Sequence, residues 1–302
     1  MKRPPAENPP AILRGVAVAG ATTIDRNEVN AARFVKLGGV TTYAGLTYRR
    51  LGLETWVVSR VAAPDRPLLE VLQRQGIRLV VEESTATTSF VNRVSGGRRT
   101  QEMPAAAEPV GADRFQEVLG RVDCVHLGPL HPRDIDLRAI SLVMDSGLLV
   151  VLDAQGYTRA LDRGRVVPRV SEHLSAALEA AHVVKTGQAE LEAILRGTGL
   201  ALARLMADFK IREWVVTRGP RGGWVVDDQG AEHRYEAAAA PRPADPTGAG
   251  DVFLAAYVAS RFAKRRSMAA ACTSAARRAA ELLAGRLIPP AWLDLTGRLD
   301  IP

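Results

Sequence analysis

The strongest constraint on the fold is an alternation of short apolar segments with amphipathic ones. Strand-like runs of small or β-branched residues include LRGVAVAG, LLVVLDA and HVVKTG, and helical patterns such as LRAISLVMDSG and AELEAILRG lie between them. Apolar strands separated by amphipathic helices indicate a parallel sheet that helices cover on both faces. The sequence therefore predicts an α/β fold with a doubly wound, mostly parallel sheet flanked by helices.

Two segments break this alternation. Residues 25–37 are more polar than the other strand-like runs, and residues 85–105 combine strong β propensity with a Ser-Gly-Gly turn. We expect them to form a small β-sheet outside the main core, a lid made by roughly residues 23–37 and 85–105 of one domain that spans residues 11–302. The proline-rich residues 1–10 predict a loose N-terminal tail.

Composition argues against nucleic-acid and membrane partners. The net charge of +7 comes from 40 basic and 33 acidic side chains that are scattered along the chain, and only 5% of residues are aromatic. A nucleic-acid binder would concentrate basic residues in a stripe with interleaved aromatics. No apolar run has the length of a bilayer span, and the N-terminus lacks the apolar region of a signal peptide. We therefore predict a cytoplasmic protein.

The most informative motif is DPTGAGD, residues 245–251, between strand-like sequence and a long apolar helix. The turn Gly248-Ala249-Gly250 should lie at the N-terminus of that helix, where unpaired N–H groups and the helix dipole favour an anion. Small residues also allow the backbone to approach a phosphate closely. Asp251 would then lie in the first helical turn, beside the anion site.

A carboxylate beside a phosphate site makes sense if it accepts a proton from an attacking hydroxyl group. Phosphoryl transfer requires a positioned hydroxyl, a base beside it and donors around the transferred group. The alternative is a glycine loop in which Asp251 only caps the helix. Other nucleotide and hydrolase motifs, such as GxxxxGK[ST], GxGxxG, HExxH and GxSxG, do not occur, so a nicotinamide-dependent oxidoreductase lacks its fingerprint.

The string DPTGAGD resembles the C-terminal signature of the ribokinase-like, or PfkB, carbohydrate kinase family, and other features follow the family order across nearly the whole chain. The resemblance implies an α/β sandwich with a small β lid over the substrate. It implies transfer of the γ-phosphate of ATP, with Mg²⁺, to a hydroxyl group of a sugar, polyol or nucleoside. It also implies that Asp251 is the catalytic base and that the backbone amides of Gly248, Ala249 and Gly250 form the anion hole.

The same resemblance implies cofactor positions. Glu190 in KTGQAE matches the glutamate that organises Mg²⁺, although Gly187 replaces the asparagine of that element, and Asp245 and Thr247 match positions that help to hold a monovalent cation such as K⁺ in some members. Lys185 is predicted to contact a nucleotide phosphate, and the alternative interpretation is a solvated residue at the end of a strand. The predicted nucleotide contacts are Thr217, Gly219, Gly222 and Ser274. The alternative interpretation of the first three is a hairpin turn without a ligand, and that of the segment around Ser274 is close helix packing.

For the acceptor, GATTID resembles the segment whose aspartate, here Asp25, binds two substrate hydroxyl groups, which suits a carboxylate. The pair Gly38-Gly39 resembles the family's glycine pair under the substrate. The alternatives are that Asp25 is a turn residue at the end of a strand and that the glycine pair is an ordinary turn into the next helix. Tyr43 lies where many members carry an asparagine, a departure from ribokinase itself. LDAQGYTR is similar to a branch that includes inositol kinases, so the predicted contacts are Asp25, Gly38, Gly39, Tyr43, Asp153 and Gln155.

The function predicted from the sequence is an ATP-dependent kinase of a sugar or polyol, with a preference for an inositol-like cyclitol. A nucleoside kinase is an alternative within the class, and a non-catalytic ligand-binding module on the same fold is an alternative outside it. The intact Asp251 and glycine turn argue against the second. Exposed lid edges predict a homodimer through the lid, but the sequence leaves the oligomeric state open.

Overall fold

The computed structural model of the protein describes residues 13–29, 32–95, 98–240 and 245–299. The predicted tail of residues 1–10 lies outside the described residues, as do residues 30–31 and 96–97 of the two predicted lid segments. Within the described ranges, no helix combines the length and the apolar character that a membrane crossing requires.

The described residues form strands and helices that alternate along most of the chain. The strands are β1 (Gly15–Gly20), β2 (Thr23–Val29), β3 (Ala32–Gly38), β4 (Glu54–Ala62), β5 (Arg78–Ser84), β6 (Thr88–Ser95), β7 (Arg98–Ala105), β8 (Cys124–Gly128), β9 (Leu149–Asp153), β10 (Arg159–Asp162), β11 (Arg165–Pro168), β12 (Val183–Gly187), β13 (Glu213–Thr217), β14 (Gly223–Asp227) and β15 (Glu232–Tyr235).

The helices lie mainly between strands of the larger sheet. They are α1 (Val40–Arg50), α2 (Glu70–Arg74), α3 (Ala112–Leu119), α4 (Leu137–Asp145), α5 (Leu174–Ala180), α6 (Gln188–Thr198), α7 (Leu202–Phe209), α8 (Ala249–Val258), α9 (Met268–Leu283) and α10 (Pro290–Leu293). Segments of 3₁₀ helix occupy Ala63–Leu69, Ala154–Thr158 and Gly219–Arg221, and a π-helical segment, Ala259–Ala263, continues α8.

The larger sheet contains nine strands of the described chain in the order β15-β14-β13-β12-β9-β8-β1-β4-β5. The pairs from β13 to β5 are parallel, whereas β14 and β15 add an antiparallel edge. Strands β1, β8 and β9 are buried along their whole length, as expected for a sheet covered on both faces. The prediction of a doubly wound, mostly parallel sheet is confirmed.

Helices pack on both faces because successive side chains of a strand point to opposite sides. On one face, Phe115 of α3 and the residues of α4 to α7 bury apolar side chains against strand residues such as Val125. On the other face, Leu254 of α8 and the residues of α1 and α9 pack against strand residues such as Val18.

A second sheet contains six strands of the described chain in the order β10-β11-β7-β6-β2-β3. The polar ribbon at residues 25–37 and the hairpin at residues 85–105 both contribute to it, as strands β2, β3, β6 and β7. The hairpin β10–β11 was missed from the sequence. Its turn has positive φ at Arg163 (48°) and Gly164 (81°), the backbone that a two-residue hairpin loop requires.

The two sheets meet at one edge of the molecule. Parallel strands direct their carboxyl ends to the same edge of a sheet, so β1, β8, β9 and β12 end near one another at Gly20, Gly128, Asp153 and Gly187. Because β2 follows β1 and β10 follows β9 in the chain, the second sheet begins at this edge. Ligands of doubly wound folds bind at such an edge.

Candidate active site

A cavity of about 170 Å³ lies where the carboxyl ends of the central strands, the second sheet and the start of α8 come together. Its wall is mostly polar and includes both carboxylates and cations. The residues that line it are Thr23, Asp25, Gly39, Phe90, Asn92, Gln101, Leu130, Gln155, Arg159, Lys185, Pro246, Thr247, Gly248, Gly250 and Asp251. The fold therefore brings residues predicted from distant parts of the sequence to one cavity.

The glycine turn begins α8, as the sequence predicted. Gly248 is the N-cap residue and has φ 87°, a left-handed conformation that favours glycine. A Cβ at Gly250 would lie 3.1 Å from Nζ of Lys185, so the turn passes close to an ammonium group. The amide of Ala249 donates to the Pro246 carbonyl at 3.2 Å, and Ala249 itself is not among the lining residues.

Asp251 lies in the first turn of α8, is partly buried and lines the cavity. Burial and the nearby Asp153 carboxylate raise the pKa of Asp251 to about 7, although Lys185 and Arg159 act in the opposite direction. A carboxylate with a pKa near neutrality is suited to accept a proton and to release it again. The position and the raised pKa of Asp251 are therefore suited to a general base.

Lys185 and Asp153 form a buried ion pair behind the glycine turn. Nζ of Lys185 lies 2.8 Å from Oδ2 of Asp153, and the side chains are only 6% and 4% exposed. Burial disfavours the ammonium form, but the carboxylates of Asp153, Glu190 and Asp251 outweigh it and raise the pKa of Lys185. Lys185 is therefore a fixed positive charge on the cavity wall and not a solvated strand end.

Asp25 reaches the cavity from strand β2 and is 3% exposed. Its Oδ1 accepts a hydrogen bond from the hydroxyl group of Thr23 at 2.7 Å. A Cβ at Gly38 would collide with Oδ2 of Asp25, and Gly39 has φ 86° and precedes α1 as its N-cap residue. Gly38 thus leaves room for the Asp25 carboxylate, and a Cβ at Gly39 would overlap the carbonyl of Ala21.

Tyr43 lies outside the cavity lining, where the sequence predicted a substrate contact. Its ring is 2% exposed and packs behind Gly248, so that a Cβ on Gly248 would overlap it. Burial, together with the carboxylates of Asp25 and Asp245, raises the pKa of Tyr43 to about 12 against the opposing effect of Lys36. Tyr43 therefore supports the turn from behind.

Asp245 precedes the turn and is paired with Lys36 of strand β3. Lys36 Nζ donates to Oδ2 of Asp245, and both side chains are 15% exposed. The other oxygen of Asp245 accepts hydrogen bonds from the backbone amide of Thr247 at 3.0 Å and from its hydroxyl group at 2.5 Å. Lys36 was missed from the sequence, although its place two residues before the glycine pair was a positional signal.

Glu190 caps helix α6 and lies beside the cavity. Its Oε2 accepts a hydrogen bond from the Gly187 amide at 2.7 Å, and its Oε1 accepts one from Nε2 of Gln155 at 3.4 Å. Glu190 lines an adjoining pocket of about 590 Å³ that shares Gln101 and Arg159 with the cavity. Among the described residues, no cluster of three or more His, Cys, Asp or Glu side chains could hold a metal by itself.

The predicted nucleotide residues lie away from the cavity lining. Thr217 ends β13, its hydroxyl donates to the Thr186 carbonyl at 3.5 Å, and Gly219 begins a 3₁₀ turn. Gly222 has φ 73°, and a Cβ there would overlap the carbonyl of Tyr235. Ser274 is half-buried in α9. The structure thus places these residues on the β13–β14 turn and on α9, and they stay predicted contacts.

Four polar residues of the cavity wall were missed from the sequence, and one of them is Thr23, the donor to Asp25. Asn92 and Gln101 lie on the paired strands β6 and β7, and Gln101 Nε2 donates to Oδ1 of Asn92 at 2.9 Å. Arg159 begins β10 at the end of the LDAQGYTR segment, and its position beside Asp153 and Gln155 in that segment was the available signal.

Comparison with known proteins gives one sequence match and many structural ones. The sequence model of the pfkB family of carbohydrate kinases matches residues 38–285. A search of curated proteins found no match.

Among solved structures, a pyrophosphate-dependent kinase in the ribokinase family, complexed with a pyrophosphate analog and myo-inositol, is 22% identical with a TM-score of 0.77, over 91% of this chain and 96% of that chain. A nucleoside kinase of Burkholderia thailandensis in complex with inosine is 17% identical with a TM-score of 0.73, over 91% and 93%. Ribokinase from Thermotoga maritima is 17% identical with a TM-score of 0.70, over 93% and 96%. At these identities, the likeness establishes the fold.

Proposed function

We propose a reaction for this chain from one premise: the chain belongs to the pfkB family of carbohydrate kinases. The donor is ATP, assisted by Mg²⁺, and the acceptor is a sugar or polyol, with an inositol-like cyclitol as the preferred class. The observation that carries the proposal is that Asp251, Asp25 and the glycine turn at the start of α8 share one small polar cavity.

The acceptor hydroxyl group lies beside Asp251 in the proposed reaction. Asp251 accepts the hydroxyl proton while the oxygen forms a bond to the terminal phosphorus of the donor. The bond from that phosphorus to the bridging oxygen of the diphosphate breaks, so the products are the phosphorylated acceptor and ADP. The N–H groups at the start of α8 and the Lys185 ammonium stabilise the negative charge that develops on the transferred group.

The residues beside the cavity fit Mg²⁺ held largely by water and donor phosphates. Mg²⁺ usually keeps several waters and takes only one or two carboxylates from the protein. Glu190 supplies one carboxylate, and its bonds to the Gly187 amide and Gln155 fix its orientation. When bound, Mg²⁺ neutralises donor phosphate charge.

The donor could also be pyrophosphate, because one of the similar structures is a pyrophosphate-dependent kinase. ATP is our preferred donor because Thr217, Gly219, Gly222 and Ser274 match the family's nucleotide segments. The two donors are separable by experiment, since pyrophosphate has no adenine to contact these residues.

The acceptor proposal rests on the size and polarity of the cavity. Ligand pockets are commonly about 300–1,000 Å³, whereas this cavity has about 170 Å³. A single polyhydroxylated ring fits this volume better than a nucleoside does. Asp25, Asn92, Gln101 and Gln155 supply oxygens and amide groups that hydrogen-bond adjacent hydroxyl groups. The similar kinase complexed with myo-inositol points to the same class, and the one complexed with inosine keeps the nucleoside alternative open.

Two measurements test the proposal. Thermal unfolding with Mg-ATP, Mg-pyrophosphate and NAD identifies the donor, because a ligand that binds only the folded state raises the melting temperature. We expect a rise with Mg-ATP and none with NAD; a rise with NAD alone would overturn the kinase assignment. A rise with pyrophosphate alone would indicate that pyrophosphate, and not ATP, is the donor.

The acceptor is then identified by a coupled assay of ADP release over inositols, hexoses, ribose and nucleosides. Turnover with nucleosides alone would contradict the polyol proposal. ATP binding without turnover of any acceptor would favour a non-catalytic module. A homodimer through the second sheet and a cytoplasmic location stay predictions.

A further inference from the structure

A partly buried ion pair joins the second sheet to the loop that precedes the glycine turn. Lys36 lies on β3, two residues before Gly38, and its ammonium group contacts Asp245. Both side chains are only 15% exposed. A pair so largely removed from water is costly to break, because removing one partner leaves the other charge poorly compensated. The contact therefore fixes the loop relative to β3.

The carboxylate of Asp245 already has a donor at each oxygen. Oδ2 accepts from Lys36, and Oδ1 accepts from the amide and hydroxyl groups of Thr247. Burial opposes the charge of Asp245, but Lys36 and Thr247 outweigh it and lower its pKa, so the carboxylate is ionised and neutralised inside the chain. These residues do not fit the monovalent cation predicted at Asp245 and Thr247, because an ammonium group holds that place.

Lys36 also reaches the support of the turn. Its Nζ lies 5.6 Å from the centre of the Tyr43 ring, and that ring packs against Gly248. In the β2–β3 ribbon, Lys36 is directly opposite Asp25, and opposite residues of an antiparallel pair project from the same face. The Lys36 ammonium group thus lies beside Asp245 and the ring behind the glycine turn, on the face of the β2–β3 ribbon that also carries Asp25.

We propose that Lys36 is a positioning residue whose ammonium group takes the place of a bound monovalent cation beside the glycine turn. It holds the Asp245–Thr247 loop so that the turn and Asp251 keep their places around the reacting phosphate. Phosphoryl transfer by this chain is therefore independent of K⁺. The inference rests on the proposed kinase function only for its turnover measurements, because the stability measurements below need no substrate.

The first experiment uses the unmodified protein in KCl, NaCl and tetramethylammonium chloride at equal ionic strength. The melting temperature and the turnover number should be the same in all three salts. A melting temperature that rises only with K⁺, or turnover that requires K⁺, would overturn the proposal. The melting temperatures test whether K⁺ binds even if no acceptor is turned over. Failure of this inference can therefore be distinguished from failure of the kinase assignment.

The second experiment replaces Lys36 by Met, which keeps much of the apolar stem and removes the charge. Displacement of a catalytic group by about 1 Å can cost about 10²-fold in rate, so we expect Lys36→Met to lower kcat by about 10²-fold with little change in the KM for ATP. The vacated place should now accept a small cation: K⁺ or ammonium should raise the melting temperature of this variant and recover part of its kcat.

Two further variants make the result specific. Lys36→Arg keeps a cation beside Asp245 and should retain more turnover than Lys36→Met, without a response to K⁺. Arg261→Met removes the cation of another partly buried pair, with Glu213, which begins β13 at the opposite edge of the sheet. It should lower stability and leave kcat unchanged. A Lys36→Met protein with normal kcat, or with the same salt response as Arg261→Met, would contradict the proposal.

Discussion

Tyr43 packs its ring directly behind Gly248, so closely that the structure leaves no room for a Cβ at that glycine. Gly248 has φ 87° and is the last residue before α8 begins, while Tyr43 belongs to α1, which follows the glycine pair under the acceptor cavity. Helices α1 and α8 are therefore in contact through this pair, and the position of the turn depends on it.

Gly248→Ala should reduce turnover strongly. The added Cβ combines a left-handed backbone with a collision against the Tyr43 ring. Because displacement of the turn by about 1 Å can cost about 10²-fold in rate, we expect kcat to fall at least that far. Gly147→Ala is the matched control, since Gly147 has φ 71° and no atom within 4 Å of its Cβ position. Steady-state kinetics that change equally in both variants would exclude the steric argument.

Asp251→Asn should lower kcat by about 10²–10⁴, the usual contribution of a general base. The amide is nearly isosteric with the carboxyl group but cannot take the hydroxyl proton, so the KM for ATP should change little. Single-turnover kinetics with saturating donor measure the effect on the chemical step. A variant that keeps nearly normal turnover would remove Asp251 from the mechanism.

The pH dependence of rate and stability should run in opposite directions. Burial and the Asp153 carboxylate raise the pKa of Asp251 from its usual 3.8 to about 7. Since only the ionised base accepts a proton, kcat/KM should rise with pH and level off above about 7. In the same interval, the folded protein keeps a proton that the unfolded chain has released, so the free energy of unfolding falls as pH rises.

Asp251→Asn provides the check on this sign. The variant should lack the rise of rate through neutrality and should melt at a higher temperature than the unmodified protein at about pH 9, but not at about pH 5, because it removes the buried negative charge. Equal pH dependence of the melting temperature in the two proteins would show that Asp251 is not the group that titrates.

Periodicity predicted the fold well because it reports burial. The central strands are apolar on both faces, and the helices between them carry one apolar stripe, so a parallel sheet covered on both sides follows from the pattern alone. The hairpin β10–β11 escaped because each strand has only four residues and its turn is Arg163-Gly164, not the usual Asn-Gly or Asp-Gly.

The site was predictable where chemistry lies in a contiguous motif and hidden where it depends on packing. The string DPTGAGD identified the turn and Asp251 directly. Lys36 is one of five lysines in the sequence, and its pairing with Asp245 joins residues 209 positions apart. Tyr43 was expected at the substrate because it lies where many family members carry an asparagine, but its ring packs behind Gly248.

Removing the Lys185 ammonium should destabilise the protein because it leaves Asp153 buried without a cation. Breaking one side of such a pair costs about 3–5 kcal/mol in the free energy of unfolding, whereas Lys185→Met combined with Asp153→Leu should recover much of this loss. Arg74→Met tests an exposed pair with Glu70, whose side chains are 76% and 56% exposed, and should change stability by no more than about 0.5 kcal/mol. Urea denaturation is measured for the unmodified protein, Lys185→Met, Asp153→Leu, the double variant and Arg74→Met, and additive effects at Lys185 and Asp153 would contradict the pairing.

Asp25 should determine which acceptors are used. It is 3% exposed and lines the cavity, its Oδ1 accepts a hydrogen bond from Thr23, and its Oδ2 lies against Gly38. A site built to bind hydroxyl groups rejects an analogue that lacks them by up to about 10⁴-fold, because the hydrogen bonds between the site and those groups are then lost. Asp25→Ala should lower kcat/KM for the acceptor and leave the thermal shift with Mg-ATP intact.

The decisive measurement compares the acceptor with its deoxy analogues in both proteins: the unmodified enzyme should discriminate strongly, and Asp25→Ala should not. Glu28→Gln, on the same strand but paired with Arg33 and Arg93 outside the cavity, should keep full discrimination. If Asp25→Ala discriminates as well as the unmodified enzyme does, the acceptor hydroxyl groups are bound elsewhere in the cavity.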